Sequence, residues 1–473
     1  MATTNHNTGT LDRALGLTEA TALNMIDMVG IGPFVTIPLV IAGMGGPQCL
    51  AAWVAGALLS LLDGFVWAEL GAAMPQAGGS YVFLREAYGP GRWGRLMSFL
   101  FIWQTMIQAP LVMASATIGF TEYLTYYWPL GEVAEKAVRG GLIVFLMFLL
   151  YRRITAIGKI SVLIWIGVLA TLLVLVVGGV MNFNPQLAFT FPAGAWDMTW
   201  AFWAALGAAT VKTIYTYLGY YNVCHLGAEI RNPGKNIPRS IFISIIGITV
   251  LYLLMQTSIL GVVPWQEAQQ SKYVVSIFVE RIMGPTAAHI ATGMILWIAF
   301  GSLFALTLGY SRIPYAAAVD GTFFSVFARV HPTKHFPHVS LLALGAVALV
   351  FSMLFRLGEV ISGILAMRVL VQFIGGAVGL MVLRRRWPAE RFPFRMPLYP
   401  LPVLIVIAGW LAIFLSTGSI KSERLGMEVP YPLAGIAMLA LGAIVFLVRA
   451  RVLREWPFAT ADPSPRQAGA PGK

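Results

Sequence analysis

The chain has 473 residues, of which 58% are hydrophobic and 11% are charged, and its mean hydropathy is +0.76. Because soluble proteins carry roughly 25% charged residues, this composition excludes an ordinary water-soluble protein and indicates lipid as the surrounding solvent. The net charge of +12 would suggest nucleic-acid binding in a soluble chain, so the positions of the basic residues must decide what that surplus does.

Twelve apolar segments approach the length of a membrane-spanning helix, which needs roughly 20 mostly apolar residues. They lie near residues 22–43, 48–71, 94–120, 138–152, 157–180, 199–222, 239–262, 286–310, 338–355, 359–382, 399–417 and 431–449. The fourth is short, and its ends are the least well defined. The first 21 residues are polar and lack an apolar core with a small-residue cleavage site, so we expect no cleaved signal peptide.

The lysine and arginine residues indicate how these segments are oriented. With a cytoplasmic N-terminus, the basic clusters at 152–159, 231–239 and 384–395 and the C-terminal tail lie inside, where basic residues outnumber those outside by about three to one. If the number of helices before the basic loops were miscounted by one, the later basic clusters would move to the outer side and the asymmetry would disappear. We therefore predict a multi-pass protein of the plasma (inner) membrane with both termini cytoplasmic, whose positive surplus serves orientation and contact with lipid headgroups rather than nucleic acid.

Two of the predicted spans are interrupted near their middle. The first contains Gly30–Phe34 (GIGPF), in which glycines permit unusual backbone angles and proline removes a hydrogen-bond donor. The sixth contains Tyr215–Asn222 (YTYLGYYN), an aromatic and polar run that is costly to expose to lipid. Glycine used only for close helix packing is the alternative explanation for either run alone. Two breaks at corresponding positions favour unwound helices that line a transporter site.

Four blocks of sequence, taken in order, resemble one family. They are Gly30–Phe34; Ala68–Gly71 with Pro75, Gly78–Tyr81 and Tyr88–Gly89; Tyr217–Tyr220 with Glu229, Asn232–Pro233 and Asn236–Arg239; and Ser311–Ala316 with Asp320–Gly321. The chain resembles the amino acid-polyamine-organocation (APC) superfamily of permeases, and its sixth-helix block looks most like the L-type amino acid transporter branch. The Gly32–Phe34 ending is more like the plant and protozoan polyamine permeases.

The resemblance implies an all-α integral membrane protein with the leucine-transporter fold. Twelve transmembrane helices would form two five-helix repeats of inverted orientation plus two further helices, with helices 1 and 6 broken. The corresponding divisions of the chain are a cytoplasmic tail at 1–21, a first repeat at 22–180, a second repeat at 199–382, helices 11 and 12 at 399–449 and a cytoplasmic tail at 450–473.

The same resemblance places a substrate at the two breaks, where half-helix ends can satisfy a carboxylate and an ammonium group. Ile31 and Gly32 would contact the carboxylate, and Tyr215, Tyr217 and Leu218 would contact the amino group, with Tyr215 as an aromatic lid. The full set of expected substrate-binding residues is Asp27, Gly30, Ile31, Gly32, Gln104, Gln108, Tyr215, Tyr217, Leu218 and Gly219. The two glutamines on the third helix could equally form ordinary interhelical hydrogen bonds.

Ionisable residues within spans are expensive and usually functional. Asp27 could bind an ammonium group or carry a proton, and it is the first candidate for proton coupling; an acid paired to a structural base is the alternative. Lys212 could be that base, or it could hold a half-helix against an anion. Asp63 and Arg368 have no partner that the sequence identifies.

Glu229 follows the sixth helix and is a further candidate for coupling. It could instead form an ordinary gate or surface ion pair with Arg231 or Arg239. Several relatives in the superfamily place a lysine midway along the fifth helix in the position of a sodium ion, whereas this chain has Trp165 there. Sodium would need hydroxyls on the eighth helix, and Ser302 and Thr307 are the visible candidates but form no convincing pair. Proton coupling or exchange is therefore favoured over sodium.

The sequence contains no recognisable enzymatic or nucleotide-binding motif. There is no Walker loop, so ATP does not drive transport directly. Cys49 and Cys224 suggest neither a disulfide nor a metal site, and the cluster of His331, His335 and His338 is separated by prolines, which favours a solvated loop over a metal site.

These observations predict a secondary active transporter of amino acids that works by alternating access, without a cofactor or an obligatory protein partner. A polyamine or organic cation permease is the alternative within the same class. A nutrient receptor that binds without transporting is the alternative of another class.

Overall fold

The computed structural model describes residues 11–271, 273–354, 357–422 and 427–458. The first ten residues of the predicted N-terminal tail and residues 459–473 of the predicted C-terminal tail lie outside the described residues. Lys272, Arg356 and Arg424, three of the basic residues that the predicted orientation places on the outer side of the membrane, also lie outside the described residues.

The described chain is helical almost throughout. The N-terminal half contains α1 (Leu17–Val29), α2 (Gly32–Met44), α3 (Leu50–Ala73), α4 (Ser80–Tyr88), α5 (Trp93–Leu124), α6 (Glu132–Leu150), α7 (Ile154–Met181) and α8 (Pro185–Phe189). The C-terminal half contains α9 (Trp200–Tyr217), α10 (Asn222–His225), α11 (Pro233–Leu260), α12 (Trp265–Ala268), α13 (Val274–Met283), α14 (Pro285–Tyr310), α15 (Arg312–Val319), α16 (His338–Leu354), α17 (Leu357–Arg368), α18 (Gly375–Arg386), α19 (Leu401–Leu415) and α20 (Tyr431–Val452).

The remaining regular elements are short. Single 3₁₀ turns occupy Pro47–Cys49, Gly227–Glu229, Ser325–Ala328 and Ala389–Arg391, and a π-helical stretch at Val369–Ile374 joins α17 to α18. Strands β1 (Ser419–Ser422) and β2 (Met427–Pro430) form a small antiparallel hairpin between α19 and α20. The prediction of a wholly α-helical chain missed this hairpin, which lies in a loop and leaves the helical class unchanged.

Seven helical stretches in the described chain are long and apolar enough to cross a membrane. They are Pro47–Ala73, Trp93–Leu124, Ile154–Met181, Pro233–Leu260, Pro285–Val319, Gly363–Arg386 and Tyr431–Val452. The bent pair α1 and α2 would make an eighth, and α16 and α19 are apolar but shorter. The helices α6 and α9 lie at the two remaining predicted positions. A multi-pass helical membrane protein is therefore confirmed.

The centre of the bundle is formed by the two interrupted helices. Within it, α1 packs against α7, α11 and α14, while α2 packs against α9 and α3 packs against α9 and α11. The outer faces of the helices instead expose apolar side chains, such as Phe148 on α6, Leu163 on α7 and Val448 on α20. An exposed apolar surface of this kind is suited to contact with lipid tails and would be a liability in water.

Small residues allow several of these helices to approach closely, as expected where packing rather than water drives helix association. A Cβ atom built on Gly179 of α7 would lie 2.2 Å from the Cβ atom of Ser258 on α11. A Cβ atom on Gly435 of α20 would lie 2.7 Å from the carbonyl oxygen of Ala366 on α17. These contacts have no room for a methyl group.

We expect Gly179→Ala to lower stability by about 1–3 kcal/mol, because the added methyl group must push α7 away from α11. Gly141→Ala is the matched control, since a Cβ atom at Gly141 of α6 meets nothing within 4 Å. That change should leave the thermal unfolding midpoint in detergent unchanged or slightly raised. Equal midpoints for the two variants would contradict the close α7–α11 packing.

Candidate functional site

The first break separates α1 from α2. The first of these helices ends at Val29 and the second begins at Gly32, and their axes differ in direction by 44°. A Cβ atom on Gly30 would lie 2.7 Å from Oγ of Ser302 on α14, so a larger residue here would have to displace Ser302. The Oγ atom of Ser302 also donates a hydrogen bond of 3.3 Å to the carbonyl oxygen of Asp27.

The second break follows α9, which ends at Tyr217. Leu218 is extended, and Gly219 has a φ of +128°, which favours glycine. A Cβ atom on Gly219 would lie 2.7 Å from the backbone nitrogen of Met28 and 2.9 Å from the carbonyl carbon of Asp27. The two breaks are therefore in direct contact, and Gly219 is the residue that permits it.

Polar side chains satisfy the backbone groups that the two breaks leave free. The hydroxyl of Tyr252 on α11 lies 2.8 Å from the carbonyl oxygen of Met28 and 3.2 Å from that of Thr216, so it can donate to either helix end. The side chain of Asn24 on α1 accepts a 2.9 Å hydrogen bond from the backbone N–H of Val223 on α10. The N–H of Val223 thus has its own partner inside the bundle, and the carbonyl groups of Met28 and Thr216 share one hydroxyl donor.

A small cavity of about 50 Å³ lies between the two breaks. Both interrupted helices contribute to its wall, as do α5, α14 and α17. The lining residues are Asp27, Met28, Gly30, Ile31, Gly32, Val112, Ser115, Ala116, Tyr215, Thr216, Leu218, Gly219, Tyr221, Ser302, Leu306, Tyr310 and Arg368. The wall therefore combines backbone, hydroxyl groups, aromatic rings and two opposite charges.

Arg368 is the residue of this wall that sequence reasoning left without a role. It is 2% exposed at the end of α17, immediately before the π-helical stretch, and its Nε donates a 3.0 Å hydrogen bond to Oε1 of Gln372. Its guanidinium also donates to the hydroxyl of Tyr221 and lies 5.9 Å from the ring centre of Tyr310. An arginine in an apolar span was the available signal, but Tyr221 and Tyr310 come from other parts of the chain.

The structure brings seven of the ten predicted substrate-binding residues to this cavity. They are Asp27, Gly30, Ile31, Gly32, Tyr215, Leu218 and Gly219. Tyr217 is buried elsewhere, with its ring centre 6.2 Å from Trp53 and 5.3 Å from Tyr252. The reason is helical phase, since Tyr215 and Tyr217 are two residues apart on α9 and so point to different sides.

The two glutamines of α5 do not reach the cavity wall. The side-chain nitrogen of Gln108 lies 3.2 Å from the hydroxyl of Tyr310, a residue that does line the cavity. Gln104 is fully buried, and its amide has no hydrogen-bond partner in the described part of the chain. Gln108 therefore supports the site through Tyr310.

Glu229 forms a buried ion pair on the C-terminal side of the second break. It is 0% exposed, and its two oxygens accept hydrogen bonds of 2.9 and 2.7 Å from the guanidinium of Arg312 on α15. The expected partners Arg231 and Arg239 are not the ones it contacts, because the turn at Gly227–Glu229 directs the carboxylate inward. The carbonyl oxygen of Glu229 also accepts the N–H groups of Ala14 and Leu15, each at 3.0 Å.

The other charged candidates lie away from the cavity. Lys212 is half-buried on α9 and is not part of the cavity wall. Asp63 on α3 is fully buried, and its Oδ2 accepts hydrogen bonds from Nε1 of Trp67 at 2.8 Å and from the hydroxyl of Tyr220 at 2.5 Å. Asp63 therefore contacts the second break from outside the cavity, a contact that the sequence did not reveal.

The residues considered for ion binding are also separated. Ser302 lines the cavity, whereas the hydroxyl of Thr307 donates a 2.6 Å hydrogen bond to Leu303 within its own helix. The indole N–H of Trp165 points at Sδ of Met25, 3.3 Å away. Among the residues that the structure describes, no group of three or more His, Cys, Asp or Glu side chains is placed to hold a metal ion.

Comparison with known families identifies the chain. A family model described as amino acid permease matches residues 15–441. The chain belongs to the amino acid permease family. This membership confirms the predicted relation to the APC superfamily and its L-type amino acid transporter branch, and it confirms a permease rather than an enzyme.

Several relatives resemble this permease over most of its length. It is 25% identical over 433 residues to the serine/threonine exchanger SteT of Bacillus subtilis (strain 168), covering 90% of this chain and 96% of that protein. It is 26% identical over 396 residues to the cystine/glutamate transporter of Homo sapiens, covering 82% and 77% respectively. It is 23% identical over 469 residues to the branched-chain amino acid permease BcaP of Bacillus subtilis (strain 168), covering 93% and 94%.

We expect Glu229→Gln to destabilise the permease by about 3–5 kcal/mol, because it leaves the Arg312 guanidinium buried without a counter-charge. Glu132→Gln is the control, since Glu132 pairs with Lys136 at an exposed position and should matter by less than about 0.5 kcal/mol. Thermal unfolding in detergent measures both. A Glu229→Gln protein as stable as the control would show that the pair contributes nothing to the fold.

Proposed function

We propose that this permease carries amino acids across the membrane by alternating access, with the substrate bound between the two helix breaks. One observation carries the proposal: both breaks, Asp27 and Arg368 meet in a single cavity. The two charged side chains do not pair directly with each other within the described contacts. A zwitterion placed between them would meet opposite charge at each end.

The carboxylate end of an amino acid fits the side of the cavity formed by the start of α2. The first N–H groups of a helix have no partner within it, and the helix dipole adds partial positive charge there. Ile31 and Gly32 stand at this helix start and line the cavity, with Pro33 in the first turn. Arg368 adds a full positive charge to the same wall.

The ammonium end fits the opposite set of groups. Asp27 lines the cavity, and α1 and α9 both have their C-terminal ends beside it. The carbonyl groups of a helix point toward its C-terminal end, where the helix dipole is negative. Leu218 lies in the extended segment beyond α9, and Tyr215 supplies an aromatic wall beside Gly32, whose Cβ position is 3.4 Å from the tyrosine ring. Tyr215 is thereby suited to covering a bound substrate.

Arg368 also disfavours the alternative substrates. A polyamine carries two or more positive charges and no carboxylate, so a buried guanidinium in the cavity would repel it.

A nutrient receptor with this fold is the alternative of another class, and accumulation of labelled amino acid inside liposomes distinguishes transport from binding alone.

We further propose the twelve-span arrangement of the leucine-transporter fold for this chain, with inverted repeats at 22–180 and 199–382. Two observations support this arrangement: the two breaks contact each other through Gly219, and each lies at the first helix of its proposed repeat. Both termini would lie on the cytoplasmic side of the plasma (inner) membrane, where the basic loops concentrate.

In this orientation the Glu229–Arg312 pair closes the cytoplasmic side of the site. It joins the loop after α10 to α15, and the same loop binds the backbone of Ala14 and Leu15 ahead of α1. Opening toward the cytoplasm would have to separate these contacts. We therefore assign Glu229 to gating, with Lys212 as a candidate for structural support of α9.

Asp27 is the proposed proton-coupling residue, since it is the carboxylate that lines the cavity. Protonation of Asp27 would change the net charge of the site by one unit and would thereby change how strongly the cavity binds the ammonium group of a substrate. Sodium is less favoured, because Ser302 and Thr307 do not converge on one point.

Arg368→Gln tests the substrate site. In proteoliposomes loaded with unlabelled amino acid, we expect exchange of labelled amino acid at subsaturating concentration to fall about 10- to 100-fold, the effect of losing one or two charged hydrogen bonds. Arg368→Lys should retain part of the activity because it keeps the positive charge. Arg281→Gln is the control, since Arg281 forms an exposed pair with Glu267.

A competition series in the same assay compares single amino acids with putrescine. We expect one or more amino acids to inhibit uptake in large excess and putrescine to have no effect. Undiminished exchange by Arg368→Gln, together with strong inhibition by putrescine, would overturn the amino acid assignment in favour of a polyamine permease.

Asp27→Asn tests the coupling. We expect uptake driven by an inward proton gradient to lose its dependence on that gradient, because the amide cannot be protonated in the working pH range. The thermal unfolding midpoint in detergent serves as the control for a folded protein, because Asp27 is also proposed to bind the ammonium group of the substrate. Gradient-driven uptake that survives unchanged in this variant would remove Asp27 from the coupling mechanism.

A further inference from the structure

A groove of about 740 Å³ lies on the surface of the bundle, far in sequence from the residues that form the substrate cavity. It is formed where α6 turns into α7 and where residues 333–334 lead toward α16. Its wall includes Phe148, Tyr151, Arg152, Arg153, Lys334 and Leu342. A volume of this size is in the range of small-ligand sites.

Three cations converge on the groove. The Nε atom of Arg153 donates a 3.1 Å hydrogen bond to the carbonyl oxygen of Thr333, and Nζ of Lys334 donates a 2.9 Å hydrogen bond to that of Tyr151. These contacts tie the two segments together while leaving most of the N–H donors of both side chains unused. The guanidinium carbon of Arg152 lies 5.7 Å from the ring centre of Phe148.

The positive charge of the groove is not neutralised. Within the described parts of the chain, none of Arg152, Arg153 and Lys334 forms an ion pair with a carboxylate. Asp12 approaches this region from the N-terminal segment, but it contacts Nδ1 of His335, at 3.5 Å. Three unneutralised cations at one site indicate an anionic ligand.

The same groove has an apolar side. Phe148 is 67% exposed on the last turn of α6, and Leu342 is 46% exposed on the first turns of α16. Both side chains lie toward the apolar length of their helices, whereas the three cations lie at the helix ends. The groove therefore passes from an apolar wall to a cationic rim, as a phospholipid passes from acyl chain to phosphate.

We propose that this groove binds an anionic phospholipid. Its phosphodiester would lie among Arg152, Arg153 and Lys334, and its acyl chains would run along Phe148 and Leu342. In the orientation proposed above, the site faces the cytoplasmic leaflet, where anionic lipids attract basic residues. Because the ligand joins α6, α7 and the segment before α16, it would also fix peripheral helices against one another.

Phosphatidylglycerol binding to the full chain in detergent tests the proposal, measured as lipid adducts by native mass spectrometry over a lipid titration. We expect Arg152→Gln/Arg153→Gln/Lys334→Gln to weaken binding about 100-fold, since each basic residue near a lipid surface contributes roughly one factor of five. The control is Arg385→Gln/Arg391→Gln/Arg395→Gln, which removes the same charge from exposed positions outside the groove and should leave binding unchanged.

Further arms separate the sources of phosphate and guard against misfolding. Phosphatidylcholine should bind at least tenfold more weakly than phosphatidylglycerol, and inorganic phosphate should not displace the lipid. Lys334→Gln alone, expected to weaken binding about fivefold, serves if the triple variant does not fold. Equal weakening in groove and control variants, equal binding of the two lipids, or displacement by inorganic phosphate would each overturn the proposal. Because no transport is measured, its failure leaves the permease proposal standing.

Discussion

The architecture around the cavity depends on two helices that are interrupted in the middle of an apolar bundle. Backbone N–H and C=O groups without partners are costly where water is absent, so such breaks persist only with dedicated replacements. Tyr252, Asn24 and Ser302 supply those replacements here from three different helices. Gly219 adds the steric condition, because any side chain at that position would separate the two breaks. The cavity between the two breaks is the space that these contacts leave open.

Much of the architecture could be predicted because it reflects local properties of the chain. The twelve apolar segments each overlap a helix, and the GIGPF run at Gly30–Phe34 does interrupt its helix. The small hairpin of β1 and β2 was missed, since a short loop element has no strong periodicity. What failed was assignment of partners across the chain: Glu229 pairs with Arg312, which is 83 residues away, rather than with the nearby Arg231.

Side-chain direction was the second limit on the site. Asp27, Tyr215 and Leu218 reach the cavity, whereas Tyr217 packs against Trp53, because Tyr215 and Tyr217 are two positions apart on α9 and point to different sides of the helix. Arg368 shows the converse. Its charge within an apolar span marked it as functional, but its place in the cavity depends on α17 packing beside the two breaks, which no local pattern encodes.

The hydroxyl of Tyr252 has one proton and stands within reach of two carbonyl oxygens, one at the end of each interrupted helix. It cannot donate fully to both at once. If the two half-helices move apart, the hydroxyl can keep its hydrogen bond to either of them. The donor then stays paired, and at most one carbonyl group loses its partner. A single shared proton thus lowers the cost of moving the two helix ends apart in the buried centre of the bundle.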